Sequence, residues 1–153
     1  MTTLVIDASV AVKWVVEEEG TTAALMLRRS GVRLIAPDLL AAECANVLWK
    51  KAHRGELSEE EAGFAARLLQ AADIELLPTR SLLEAATRTA VELDHSAYDC
   101  LYLALAVERD CRFVTTDERF LNKLGTASRR RFRDRAFSLR EAAAGLGAPS
   151  SAE

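Results

Sequence analysis

Short continuous apolar runs alternate with longer stretches of helical periodicity along this sequence, and that alternation restricts the folds open to the chain. The runs lie at Leu4–Ile6, Arg33–Ala36, Ile74–Leu77 and Arg112–Thr115, and Arg135–Leu139 is predicted as a fifth, edge strand. Short continuous apolar runs are typical of strands that are buried on both faces. The sequence therefore predicts an α/β fold, with a short parallel sheet of four to five strands flanked by helices.

Capping residues and chain breakers set the predicted helix limits. Asp38 is predicted to cap the longest helix, and Ser58 with Glu61 forms a capping box. The predicted helices are Ala8–Glu17, Thr22–Arg29, Leu39–His53, Ser58–Ala72, Ser81–Leu93, Ala97–Arg109, Glu118–Leu124 and Arg140–Ala144. We expect a single domain over residues 1–145, followed by a disordered tail at 146–153.

Composition and cysteine use narrow the class of protein. The three cysteines are odd in number and none are at CxxC spacing, so neither a disulfide framework nor a zinc site is indicated. No apolar run approaches the roughly 20 residues that span a bilayer, and no signal peptide is predicted. We therefore expect a cytoplasmic protein that does not enter the membrane.

The net charge of −3 does not favour nucleic-acid binding, but a local basic surface can act independently of the sum. The densest basic segment is 128–135, in which Arg129, Arg130, Arg131, Arg133 and Arg135 lie close together. Two interpretations stay open for it, a solvated loop and a patch that contacts phosphate.

Four acidic residues stand where an α/β fold places its ligands. Asp7 and Asp117 each follow a predicted strand, and ligands of such folds bind outside the carboxyl ends of the strands. Glu43 and Asp99 lie on helices with extensive apolar faces, where a charge is costly unless it is paired or ligating. Each acid also has an ordinary explanation, as a helix cap or as a surface charge.

A cluster of carboxylates would repel itself without a cation, and a hard divalent ion reverses that cost. All-oxygen ligation favours Mg²⁺ or Mn²⁺, since no cluster of His or Cys accompanies the acids, and His53 and His95 are given no ligand role. The hydroxyls of Ser9 and Thr115 are candidates to support the site, although capping and strand propensity also account for them. Asn46 lies one turn from Glu43 and is expected to orient it.

Four segments resemble the PIN domain in order and spacing, and within it the toxin ribonucleases of VapBC toxin–antitoxin pairs. They are Val5–Ser9, Glu43–Leu48, Tyr98–Ala104 and Val114–Phe120, and Val12-Lys13-Trp14 is also similar to many of these toxins. The resemblance implies a PIN-like three-layer sandwich and a metal-dependent endoribonuclease. It also implies RNA as substrate, a small antitoxin as partner and a homodimer.

On that resemblance, the four acidic positions are filled by Asp7, Glu43, Asp99 and Asp117, with Thr115 as the hydroxyl position. We expect Asp7 and Asp99 to bind the principal Mg²⁺ or Mn²⁺. Asp117 is expected to complete that site or to support a second ion. Glu43 is expected to orient the attacking water or to bind the second metal.

Other function classes fit the sequence less well. An aspartyl-phosphate phosphatase of the haloacid-dehalogenase kind needs a second Asp two residues after Asp7, where this chain has Ser9. A dinucleotide-binding fold needs GxGxxG after the first strand, and the sequence lacks it. A non-catalytic PIN-like binding module, whose acids only cap helices, stays open as an alternative.

Overall fold

A computed structural model describes residues 2–29, 31–126 and 130–147 of the chain. Its five strands form one parallel sheet in the order β3-β2-β1-β4-β5. The strands are β1 Thr2–Ile6, β2 Val32–Pro37, β3 Glu75–Leu77, β4 Arg112–Thr115 and β5 Ala136–Ser138. The predicted fold class is confirmed, and β5 is an edge strand as expected.

The centre of the sheet is covered on both faces. Successive side chains of a strand point to opposite faces, and Leu4, Val5 and Ile6 of β1 are all buried. Both faces of β1 must therefore pack against other elements, which is the three-layer arrangement. Tyr102 and Phe113 belong to this core, with ring centroids 5.4 Å apart.

The helices agree closely with the predicted pattern in the second half of the chain. They are α1 Ala8–Ala11, α2 Thr21–Met26, α3 Leu39–His53, α4 Glu59–Gln70, α5 Leu83–Leu93, α6 Ala97–Glu108, α7 Glu118–Leu124, α8 Arg130–Arg133 and α9 Leu139–Gly147. Short 3-10 turns follow α1 at Val12–Trp14 and precede α5 at Arg80–Leu82. Among the described residues, no helix combines the length and apolar character that crossing a membrane requires.

Two predictions near the N-terminus are wrong in detail. The helix expected over Ala8–Glu17 ends at Ala11 and continues as the 3-10 turn, because the buried Trp14 donates its indole N–H to the carbonyl of Ala24 and holds the chain there (2.8 Å). Asp38 does not cap α3; its side chain accepts hydrogen bonds from the backbone and the hydroxyl of Thr79 instead.

At the C-terminus, α9 continues through Gly147, two residues beyond the predicted domain limit at 145. Leu146, near the end of this helix, packs against the core, which accounts for the extension. The remainder of the predicted tail, residues 148–153, lies outside the described residues. Residues 128 and 129 of the basic segment lie outside them as well. Of its arginines, Arg131 and Arg135 have described side chains, which pair with Glu92 and Asp110.

The strand order reverses between β1 and β4, which are neighbours in the sheet but distant in sequence. Register pairing sets Ile6 beside Val114, so the residues that follow them, Asp7 and Thr115, meet at the carboxyl edge. This is the topological switch point at which parallel α/β folds bind their ligands.

Candidate metal centre

Asp7 lies in the most protected part of the carboxyl edge. Its Oδ1 accepts the hydroxyl of Ser9 (2.5 Å) and the backbone N–H of Val10 (3.2 Å), and its Oδ2 accepts the hydroxyl of Thr115 (2.7 Å). Burial raises the pKa of Asp7, and these three hydrogen bonds oppose that rise. The predicted supporting hydroxyls of Ser9 and Thr115 thus both contact the first acid.

Asp117 begins α7 just beyond β4. Its Oδ1 accepts the backbone N–H of Phe120 (3.1 Å), and its own N–H donates to Thr115 Oγ1 (3.1 Å). Asp7 likewise caps α1. Both acids are therefore helix caps, as their ordinary explanation predicted, and both still have an oxygen directed elsewhere. Capping is a way to fix these carboxylates at the sheet edge and does not exclude a second role.

His95 joins the acids, contrary to the sequence prediction that it is a peripheral residue. Its Nε2 lies 2.7 Å from Asp99 Oδ2 and 3.8 Å from Asp117 Oδ2, and its ring lies 4.8 Å from that of Phe120. The His95 side chain is only 12% exposed. The αL conformation of Asp94 ends α5 and directs the chain back towards α6, which brings His95 to this position.

Asp99 stands in the first turn of α6. Asp99 forms no capping box with Ser96, since Ser96 accepts the N–H of Tyr98 and Asp99 binds His95 instead. Burial raises the pKa of Asp99 to about 6; His95 opposes this shift, and the neighbouring carboxylate of Asp117 reinforces it. The negative charge of Asp117 thus disfavours the charged form of Asp99, a cost that a divalent cation would offset.

Glu43 projects from α3 towards the same place, and Tyr102 of α6 donates its hydroxyl to Glu43 Oε1 (2.5 Å). Burial, followed by this hydrogen bond to a carboxylate, raises the pKa of Tyr102 above its ordinary value, so the phenol remains a donor. The expectation that Asn46 orients Glu43 is wrong: Asn46 is exposed on another side of the helix, and Tyr102 makes the contact.

The four predicted acids line one cavity of about 350 Å³. Its wall is formed by Asp7, Ala8, Ser9, Val12, Lys13, Glu18, Glu43, Val47, Lys51, Asp99, Tyr102, Thr116 and Asp117. Sequence reasoning thus predicted all four acids of this cavity. It missed His95, which contacts Asp99, and Tyr102, which contacts Glu43. A spacing signal existed for both, since His95 stands one helical turn before Asp99 and Tyr102 one turn after it.

The donor set fits a divalent cation. Among the described residues, one ligand atom each from His95, Asp99 and Asp117 lie within 4.8 Å of one another. Carboxylate oxygens suit Mg²⁺ and Mn²⁺, and an imidazole nitrogen is a better ligand for Mn²⁺ than for Mg²⁺. Asp7 adjoins this group and its charge acts on Asp99, but its oxygens already accept three hydrogen bonds.

Comparison with known proteins agrees with the fold. The PIN domain family profile matches residues 4–124, a span that contains all four acids. The chain therefore belongs to the PIN-domain family.

Ribonuclease VapC3 of Pyrobaculum aerophilum is 32% identical to the chain over 122 residues, which are 78% of this chain and 93% of that relative. Within the PIN family, the chain thus belongs with the VapC-type ribonucleases, as its sequence motifs predicted. The crystal structure of PAE2754 from Pyrobaculum aerophilum superposes with a TM-score of 0.63 over 95% of this chain and 89% of that chain. At 21% identity, that likeness supports the fold alone.

Proposed function

We propose that the protein is a divalent-metal-dependent endoribonuclease that hydrolyses RNA phosphodiester bonds, and that it acts as the toxin of a type II toxin–antitoxin pair. The observation that carries the proposal is the convergence of Asp7, Glu43, Asp99 and Asp117 on one cavity at the switch point of the sheet. Membership of the VapC-type ribonucleases supplies the substrate class.

Asp7, Asp99 and Asp117 are the residues that would hold Mg²⁺ or Mn²⁺, with His95 beside them. Such an ion, when bound, lowers the pKa of a coordinated water and neutralises charge that builds on the phosphate. Thr115 and Ser9 fix the orientation of Asp7 through its two oxygens. No side-chain nucleophile is required.

Glu43 is the proposed group that orients the attacking water. Tyr102 donates to Oε1 and thereby limits rotation of the carboxylate. Since Tyr102 is buried and stacked on Phe113, its hydroxyl is a fixed donor rather than a mobile one. Glu43 is in this way held on α3 opposite the acids of β1, α6 and α7.

Two protein partners follow from the proposed toxin role. A small antitoxin would lay an amphipathic helix against apolar surface, and Trp49, Phe64 and Leu68 on α3 and α4 are exposed apolar side chains. Leu83 and Val91, exposed on α5, are candidates for a homodimer contact. We place the protein in the cytoplasm because its cysteines are all free, as a reducing compartment would keep them.

The test is cleavage of purified total RNA by the isolated protein, with and without Mg²⁺ or Mn²⁺, followed by sequencing of the new ends. We expect cleavage only with the metal. Asp7→Asn and Asp99→Asn should each lower the rate by roughly a thousandfold, since they remove charge from the metal ligands. Metal-independent cleavage, or full activity of both variants, would refute the proposal.

A non-catalytic binding module remains the second candidate, because Asp7 and Asp117 do cap α1 and α7. Thermal melting with added Mn²⁺ separates the two functions. A metal site predicts stabilisation of the wild-type protein that is lost in Asp99→Asn, whereas a module with capping acids only predicts no shift in either protein.

A further inference from the structure

Two lysines stand on the wall of the acidic cavity, although neither belongs to the acidic motif. Lys13 comes from the 3-10 turn after α1, and Lys51 from the last turn of α3. Their side chains are only 14% and 17% exposed. Holding two ammonium groups partly buried beside each other is costly unless an anion lies between them.

Glu18 is that anion in the structure. Lys13 Nζ donates to Glu18 Oε1 (3.2 Å), and Lys51 Nζ donates to Glu18 Oε2 (2.7 Å). Burial by itself would raise the pKa of Glu18, but the two lysines outweigh it and hold that pKa below its ordinary value. Each carboxylate oxygen of Glu18 thus accepts a hydrogen bond from a separate ammonium group. Two oxygens of a phosphate could accept the same pair of hydrogen bonds.

We call Lys13 and Lys51 the lysine clamp; their charges and that of Glu18 do not cancel. Two positive charges meet one negative charge, so one positive charge remains on the cavity wall. Glu56 approaches Lys51 only to 3.7 Å and is half exposed, where an ion pair contributes little. Among the described residues, the ion pairs of both lysines are with Glu18 and Glu56, not with the four acids.

The fold holds the first lysine in place. Lys13 Nζ also donates to the carbonyl of Glu19 (2.7 Å). The left-handed Gly20 passes so close that a Cβ there would lie 3.3 Å from the Lys13 stem. Lys13 lines a second depression as well, which it shares with Thr116 and Arg140. The ammonium group therefore lies where the acidic cavity continues along the surface.

The second lysine is in register with an acid of the site. Glu43, Val47 and Lys51 are four residues apart on α3 and line the same cavity wall. Eight residues of helix separate Glu43 and Lys51 by about 12 Å along the axis. This spacing places Lys51 two turns along the wall from Glu43, a position suited to a phosphate next to the one at the acids.

We propose that Lys13 and Lys51 bind an RNA phosphate next to the scissile one, and that Glu18 occupies their clamp until RNA displaces it. The inference rests on the proposed ribonuclease function and adds to it the part of the substrate that the acids do not contact. Unlike the acids, the clamp acts on substrate binding rather than on the chemical step.

The test compares Lys13→Met and Lys51→Met with Lys50→Met as a matched control, because Lys50 is exposed on α3 and is not part of the cavity wall. Methionine retains an unbranched apolar stem. Binding of a fluorescent, mixed-sequence single-stranded RNA is measured in an Asp99→Asn background with Mg²⁺. Each clamp variant should bind roughly tenfold more weakly, and the slope of log K against log salt should fall by about 0.7.

Glu18→Gln gives the opposite expectation, since it removes the competing charge while retaining hydrogen-bonding atoms. RNA should bind this variant several-fold more tightly. If the ion pairs have only a structural role, Glu18→Gln should weaken RNA binding, or the lysine variants should leave the salt slope unchanged. The inference is overturned if the clamp variants keep the affinity and salt slope of the parent, if Lys50→Met loses as much, or if Glu18→Gln weakens binding.

Cleavage by otherwise wild-type protein distinguishes this inference from the proposed function. Wild-type protein that fails to cleave RNA with Mg²⁺ or Mn²⁺ contradicts the ribonuclease itself. If wild-type protein cleaves, Lys51→Met should raise KM roughly tenfold with little change in kcat, and Lys51→Arg should restore KM. An unchanged KM in Lys51→Met contradicts the clamp and leaves the ribonuclease standing. Because Lys51 is less enclosed by backbone than Lys13, its variants decide the outcome if Lys13→Met does not fold.

Discussion

On the β1 side of the cavity Asp7 accepts hydrogen bonds from Ser9, Val10 and Thr115, whereas on the α6 side Asp99 is bound by His95 and faces Asp117. Both carboxyls are partly or fully withdrawn from water. Neutral donors hold Asp7 in a fixed orientation. On the other side, the charge of a second carboxylate, Asp117, raises the pKa of Asp99 further.

In this comparison, protein donors fix the orientation of Asp7, whereas Asp99 and Asp117 bring together two negative charges that a cation would compensate. Three protein donors hold Asp7 in one orientation without metal, although burial still raises its pKa. On the other side, burial and the neighbouring Asp117 carboxylate disfavour the charged form of Asp99, and a bound cation would offset that cost. The predictions below challenge that contrast, from the largest expected effect to the smallest.

The contribution of Asp99 to the stability of the metal-free protein should fall as pH rises from about 4 to about 6. Native Asp99 has a pKa of about 6 against 3.8 ordinarily, so in this window the folded state binds more protons than the unfolded state. The free energy of unfolding then falls with rising pH, by about 2–3 kcal/mol for this group. Urea unfolding in EDTA measures it.

Other carboxyls, such as Glu18 with its lowered pKa, act in the opposite direction. The informative quantity is therefore the difference in the free energy of unfolding between wild type and Asp99→Asn. The variant should be the more stable protein at pH 7, and the advantage should vanish near pH 4. An advantage that is independent of pH would contradict the contrast between the two sides.

His95→Gln should weaken Mn²⁺ binding by roughly 10- to 100-fold, because His95 contacts Asp99 and lies near Asp117. Isothermal titration calorimetry of the purified protein measures the affinity. His53→Gln is the control, since His53 is exposed on α3 and stacks on Trp49. Equal losses in both variants, or none in His95→Gln, would remove His95 from the metal centre.

Thr115→Val should lower the free energy of unfolding by about 1–3 kcal/mol, since it leaves the buried Asp7 Oδ2 and the Asp117 N–H without their partner. Thr115→Ser keeps the hydroxyl and should lose less stability than the valine variant. Chemical denaturation in EDTA measures both. If the two variants are equally stable, the hydroxyl does not hold the β1 side together.

Tyr102→Phe should have the smallest effect, about 1 kcal/mol or roughly a fivefold lower kcat. It removes the hydrogen bond to Glu43 but keeps the stack on Phe113. Tyr98→Phe is the matched control, since Tyr98 is exposed on the same helix. A decrease of the same size in the control would show that Tyr102 does not position Glu43.

Sequence reasoning placed the acids well because each has a local signal. Asp7 and Asp117 follow apolar strands, and parallel strands end at one edge. It failed for Asn46 because helical spacing does not say which flank of α3 faces the cavity. It also failed for His95, which precedes its helix and reaches Asp99 only after the left-handed Asp94 turns the chain.

By itself, the sequence determined the strands, the order of the four acids and the α/β class, because hydrophobic periodicity and capping are properties of neighbouring residues. Only the tertiary structure decided that β1 and β4 are adjacent, that Tyr102 supports Glu43 and that Glu18 lies between Lys13 and Lys51. These contacts join residues that are distant in the chain or at the ends of flexible side chains. Their geometry depends on the packing of α3 and α6 around the sheet, which no local pattern of residues specifies.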